Sequence, residues 1–314
     1  MTKIISRITK LLGGDVPLAA LTEDLSPTDL QSLMLHVYRE RSAKRSAADL
    51  FGAYERTLML QPSTADARQL VAIKQAAFEC SNAFYAVELA PVAPLGINAV
   101  LGQIDQNNCL ATIRNAEVAA DPTTALALEA ARRRRAANAS VIRLCSCSRM
   151  LRLQPFDVPG FSPHFELFAM VSAGRDRGSR LFEMEALREH IEVYLRLLYR
   201  LRGSGYAFTN IELNLSDTND DERLLRCAEA EALQPLAAQH PSVTFRIDQR
   251  REQGRAYYSG LCIGLYARDG EGQRLNLGDG GFTQWAQRLL SNAKERLFVS
   301  ALGVELVAKR FVTK

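Results

Sequence analysis

Arg149 and Arg152 stand in residues 142–174, where an apolar run carrying both is followed by a loop with Pro155, Pro159 and Gly160. A second apolar run then opens on His164, Phe165 and Glu166. Two strand-like runs joined by a proline- and glycine-punctuated loop predict an antiparallel hairpin. A guanidinium beside such a loop can grip a phosphate or a carboxylate in forked geometry, because its donors lie in a fixed plane. A surface hairpin with solvated arginines suits the same residues, since basic side chains are mostly exposed. A second basic feature is the run of four arginines at 132–135, which ends a helix predicted over 125–135. Asp121 caps that helix, Pro122 fits its first turn, and the arginines complement its dipole. They could meet RNA phosphates, although a solvated helix end is the simpler account.

The elements that must position these residues belong to a globular chain. Its 314 residues are 47% hydrophobic and 24% charged, with a net charge of +4 that permits a polyanionic partner without demanding one. Six cysteines show neither a disulfide framework nor zinc-ligand spacing, so they read as reduced and mostly buried in a cytoplasmic protein, with no metal site. No run is long and apolar enough to span a bilayer, and the basic, amphipathic start of the chain is too interrupted for a signal peptide. No membrane partner is therefore expected.

Residues 1–79 read as a helical N-terminal region, including a helix capped by Ser26 and Pro27 and helices over 47–60 and 63–79. Residues 80–314 read as a core domain in which strands and helices alternate. A strand over 84–91 ends at a proline. A long helix over 182–202 carries an apolar stripe, with His190 on its wet side. A strand at 210–215 and a helix at 221–238 follow, the latter broken near Pro235.

In this order the features resemble the catalytic core of class II aminoacyl-tRNA synthetases. They are most similar to histidyl-tRNA synthetase and its non-charging paralogues, such as the regulatory subunit of ATP phosphoribosyltransferase. Arg152 and Phe165 match the arginine and phenylalanine of the family's second signature, and helix 63–79 with strand 84–91 resembles the first, a homodimer interface. Tyr257 and Tyr258 resemble the tyrosine pair that helps form the amino-acid pocket of histidyl-type proteins. If they lie in a strand, only one of the two can face a ligand unless a bulge intervenes. Gly280 and Gly281 resemble the family's glycine-rich turn, Thr124 its amino-acid-contacting threonine, and Glu305 the glutamate of the third signature. The resemblance implies an α+β fold with an antiparallel sheet flanked by helices, ATP and Mg²⁺ as ligands, and a homodimer.

Several positions depart from the family pattern. Leu306 stands where an ATP-binding arginine is expected and Gln154 where a glutamate is expected, while Leu167 and Val171 replace the polar ligands of histidine. Loss of a polar partner can change selectivity by about 10⁴-fold, so histidine is not the expected substrate. The chain also ends soon after the third signature, where charging enzymes append an anticodon-binding domain. The first reading is a ligand-binding or regulatory homodimeric paralogue. The second is an adenylate-forming enzyme: Arg152 would clamp the α-phosphate and carboxylate, Glu305 would hold Mg²⁺, and a non-histidine amino acid would sit near Glu166 and Tyr258. A third reading treats the likeness as accidental, in an α+β protein of unrelated role.

Overall fold

The computed structural model describes residues 2–136, 141–154 and 162–313, so Pro155, Pro159 and Gly160 of the expected hairpin loop lie outside the described residues. Among the described residues the chain starts with five α-helices: α1 (Thr2–Leu11), α2 (Val16–Ala19), α3 (Pro27–Ser42), α4 (Ala47–Arg56) and α5 (Ala67–Cys80). Ser26 caps α3 by accepting from the Asp29 amide, with Pro27 in the first turn, as expected. Residues 3–69 contain no buried side chain, whereas α5 drives Leu70, Ile73, Ala76 and Ala77 into the main core. The last helix of the N-terminal region thus packs with the core domain.

Short pieces follow: β1 (Tyr85–Ala86), β2 (Val92–Pro94), α6 (Ile97–Val100) and β3 (Ala116–Val118). The strand expected over 84–91 is reduced to two residues of β1, and Val87 adds one further backbone bond, to the Cys145 carbonyl. Next come α7 (Pro122–Ala136), β4 (Val141–Leu151), β5 (His164–Arg175), α8 (Leu181–Gly203) and β6 (Thr209–Asp217). The chain closes with α9 (Glu222–Ala228), α10 (Gln234–Gln239), β7 (Thr244–Ile247), β8 (Leu261–Arg268), β9 (Arg274–Thr283), α11 (Trp285–Leu290), β10 (Glu295–Gly303) and α12 (Val304–Arg310).

Eight strands form one sheet in the order β1-β4-β5-β10-β9-β8-β6-β7, while β2 and β3 pair separately. All its pairings are antiparallel except β1 with β4 and β6 with β7 at the two edges. This is the expected α+β architecture. Alternation along the central strands sends Phe168, Met170, Phe298 and Leu302 to one face, covered by α5, α8 and α12. Ala169, Val171, Leu297 and Val299 go to the other, covered by α7 and α11. Among the described residues no helix is long and apolar enough to cross a membrane.

Two side chains expected at the surface are buried. His190 is fully enclosed between Ser172 Oγ (3.0 Å) and Ser300 Oγ (2.7 Å), with the rings of Phe84 and Phe298 packed edge-on against it. Two facing serines satisfy both ring nitrogens, and that lets an imidazole sit in the apolar stripe. In the arginine run Arg132 and Arg135 are exposed; Arg134 forms a bidentate pair with Glu295 in which both side chains are buried, and Arg133 lies over the Tyr85 ring. The cationic end of α7 is thus partly a core contact.

Candidate functional site

Arg152 leaves the end of β4 beside the N-terminus of α7, and each feature holds the other. Asp121 caps α7 by accepting from the Thr123 amide (2.9 Å) and hydroxyl (2.6 Å) on Oδ1. Its Oδ2 accepts from Arg152 Nη2 (3.2 Å) and from the Tyr257 hydroxyl (3.2 Å). Arg152 Nε donates to the Ala120 carbonyl (2.8 Å), and its guanidinium lies 5.5 Å from the centroid of Phe165. The strand-end arginine and the return-strand phenylalanine therefore meet in a cation–π contact.

Tyr257 and Tyr258 do not lie in a strand. They end a turn in which both backbone amides donate to the Gly254 carbonyl, so the two rings come together, 4.8 Å apart and nearly perpendicular. Alternation of faces does not apply there. Tyr257 bonds Asp121 and Thr123, while Tyr258 donates to Asp279 Oδ1 (3.0 Å), whose Oδ2 accepts from Arg251 (3.1 Å). Burial pushes both phenols well above their ordinary range, so each is a neutral donor. Burial likewise raises the Asp279 carboxyl, against the pull of Arg251 and the Tyr258 hydroxyl.

The glycines expected in a turn are in the middle of β9. A Cβ at Gly281 would fall 2.6 Å from Tyr258 Cδ1 and 2.7 Å from Cys262 Cβ; one at Gly280 would fall 2.5 Å from Ser300 Cβ. They permit close approach of a tyrosine and a neighbouring strand, and neither borders the cavity described below. Thr124 is also displaced from its expected part: it is fully buried and its hydroxyl donates to the Asp121 carbonyl (2.9 Å). Thr123 is the threonine whose hydroxyl meets site side chains, Asp121 Oδ1 and the Tyr257 hydroxyl.

Glu305, at the start of α12, is held on both oxygens. Its Oε1 accepts from Lys309 (2.7 Å) and from the Ser63 hydroxyl, and its Oε2 from Arg149 (2.8 Å). Burial pushes its carboxyl up, but Lys309, Ser63 and Arg149 together hold it below the usual range. With both oxygens accepting from cations, Glu305 does not fit the expected Mg²⁺ ligand. Glu166 points to the face of Phe168 and Met170, where it pairs with Lys74 (2.9 Å) and Arg149 (3.7 Å), away from the tyrosines. The hairpin arginine that closes this cluster is Arg149; Arg152 belongs to the other.

Between the two clusters lies a cavity of about 280 Å³ over the β5, β10 and β9 strand ends. Its polar wall is Asp121, Arg152, Gln154, Asn276 and Asp279; its apolar wall is Phe165, Leu167, Ala301 and Leu306. Glu166 and Glu305 also border it, whereas the tyrosines touch it only through Asp121 and Asp279. Short-range sequence patterns identify Asp121 only as a helix cap and do not single out Asp279 or Arg251. An acid enclosed by glycines, Gly278-Asp279-Gly280-Gly281, is the available signal.

No family model and no curated protein matches the sequence. Solved structures share the fold at low identity. A histidine–tRNA ligase subunit from Alicyclobacillus acidocaldarius aligns over 81% of this chain and 96% of its own, with a TM-score of 0.57 and 14% identity. An ATP phosphoribosyltransferase regulatory subunit/histidyl-tRNA synthetase from Bacillus halodurans aligns over 77% and 79%, with a TM-score of 0.55 and 14% identity. Apo histidyl-tRNA synthetase from S. aureus gives a TM-score of 0.56 at 13% identity, over 77% of this chain and 64% of that one. The fold is thus that of histidyl-tRNA synthetase-like proteins.

Proposed function

We propose that this chain is a ligand-binding or regulatory homodimeric subunit built on the histidyl-tRNA synthetase fold, and that it does not charge tRNA with histidine. The observation that carries the reading is the contrast within one cavity: Glu305 is held by Lys309, Ser63 and Arg149 with its side chain 2% exposed, while the Asp279 side chain, with two partners, is 43% exposed. A triphosphate would meet Leu306 where the family resemblance calls for an arginine, and Mg²⁺ would meet a carboxylate already held by cations. An amino-acid-sized zwitterion suits the other end: its ammonium at Asp279, its carboxylate at Arg152, its apolar part on Leu167 and Ala301. The volume is near the lower end of ligand pockets, roughly 300–1,000 Å³.

The regulatory role is supported by the likeness to the Bacillus halodurans protein, which is described as a regulatory subunit. The homodimer is supported by exposed Val71 on α5 and Tyr85 on β1, in the segment that resembles the family's dimer interface. Six cysteines, all free of disulfides, support a cytoplasmic location. The alternative, adenylation of a non-histidine amino acid with ATP and Mg²⁺, draws its support from Arg152 stacked on Phe165.

A thermal-shift screen of the twenty amino acids, with and without ATP-Mg²⁺, separates the two. An apolar amino acid at a hundred times its Kd should add about 2.7 kcal/mol of stability without ATP, with no amino-acid-dependent pyrophosphate exchange. Exchange activity would establish the adenylating enzyme instead. Absence of stabilisation by every amino acid would refute the ligand assignment.

A further inference from the structure

Helix α1 carries two chemistries on two sides. Ile4, Ile5, Ile8, Leu11 and Leu12 recur at helical spacing and share one face, while Lys3, Arg7 and Lys10 line its flank. Leu12 extends the face by one residue, since its amide donates to the Ile8 carbonyl (2.9 Å). All five aliphatic side chains are exposed, from 37% at Ile8 to 79% at Leu11, so nothing among the described residues covers this face. No carboxylate stands between Thr2 and Gly14, and the cation in the first turn opposes the helix dipole. A helix this short with that handicap is marginal in water, and a surface that takes up its apolar face would hold it. Gly13 and Gly14 then link it to α2 at positive φ (90° and 126°), with open space where side chains would stand.

The flanking charge decides what covers the face. A second copy of the chain offers an apolar groove of about 550 Å³ between α4 and the end of β4, walled by Tyr54, Leu60, Leu110 and Met150. Its ionisable side chains besides Tyr54 are Arg149 and His164, with no carboxylate, so three arriving cations would find no counter-charge there. An anionic lipid surface supplies both needs, acyl chains for the aliphatic face and phosphates for the lysines and arginine. We propose that α1 is a surface anchor for anionic phospholipid bilayers, its five aliphatic side chains in the headgroup–acyl boundary and Lys3, Arg7 and Lys10 on the phosphates. Such adhesion needs no spanning segment, so the lack of a membrane-crossing helix among the described residues does not bear on it. No α1 residue borders the cavity over β5, β10 and β9, so the anchor and the ligand site stand or fall separately.

The test is co-sedimentation of the full chain with vesicles of phosphatidylcholine alone and of phosphatidylcholine mixed with phosphatidylglycerol. The mixed vesicles should carry the protein down, the neutral ones far less, and added salt should release it. Ile8→Asp, which puts a charge in the middle of the apolar face, should weaken binding by about tenfold or more. Arg7→Gln should weaken it by about fivefold, one cation's share at such a surface. Residues 3–69 bury no side chain, so neither change reaches the core. Leu58→Asp, at an exposed apolar position outside α1, should bind as the parent does. Absence of sedimentation, equal sedimentation with neutral and mixed vesicles, or equal losses in Ile8→Asp and Leu58→Asp would each overturn the anchor. Full vesicle binding by Ile8→Asp with a reduced oligomeric mass would make the face a protein interface instead.

Discussion

The two faces of the sheet treat polar groups in opposite ways. On the α5, α8 and α12 side they are closed off: His190 sits between two serines, Tyr194 donates to Ser300 (2.7 Å), and Glu166 and Glu305 are matched to Lys74, Arg149, Lys309 and Ser63. On the α7 and α11 side Asp121 and Asp279 keep part of their surface toward the cavity, with arginines and tyrosines holding them from behind. A carboxylate's identity therefore says little about its use. Glu305 and Asp279 border the same space, yet one is a structural ion-pair centre and the other can still meet a ligand.

Removing each acid in turn puts the greatest strain on this contrast. Glu305→Ala leaves Lys309 and Arg149 facing a vacated, buried position and should destabilise the fold by about 3–5 kcal/mol in urea unfolding. Asp279→Asn keeps an oxygen for Tyr258 and should cost about 1–3 kcal/mol, with amino-acid binding reduced far more than stability. Equal costs in the two variants would show that both acids are structural.

Acid titration probes the closed face through His190. Burial, and next the nearby charge of Arg143, push its imidazole down to about 3 from an ordinary 6.5. Its folded-state value is depressed, so its contribution to stability is complete above pH 6.5. That contribution should fall by up to about 1.4 kcal/mol per pH unit as the medium is acidified toward pH 3. His190→Gln should flatten the slope between about pH 6.5 and 5, measured by chemical denaturation at each pH; an unchanged slope would place the imidazole in contact with water.

A smaller effect is expected where the open face depends on backbone proximity. Gly281→Ala should cost about 1–3 kcal/mol by pushing against Tyr258 and Cys262, and should loosen Tyr258 from Asp279. Intact stability with impaired ligand binding would make the glycine a positioning device for the tyrosine. The smallest change belongs to the exposed pair Arg132–Glu129, where Arg132→Ala should shift stability by less than about 0.5 kcal/mol. Arg134→Ala, in the same arginine run but paired with buried Glu295, should cost several times more in the same unfolding measurement.

Local chemistry was legible from the sequence wherever one element contains its own explanation. Ser26 and Pro27 at the start of α3, Asp121 and Pro122 at the start of α7, the stripe of α8 and the Arg152–Phe165 hairpin all follow from short-range spacing and turn chemistry. The partners of a charge did not, because they come from distant segments: Ser63 reaches Glu305 across 242 positions, Lys74 reaches Glu166 across 92, and Tyr257 reaches Asp121 across 136. His190, on α8, belongs to the same class, since its burial needs Ser172 and Ser300 from two strands. Periodicity decides which face of an element is apolar; only the packed sheet decides which polar groups find partners inside that face and which are left facing a cavity.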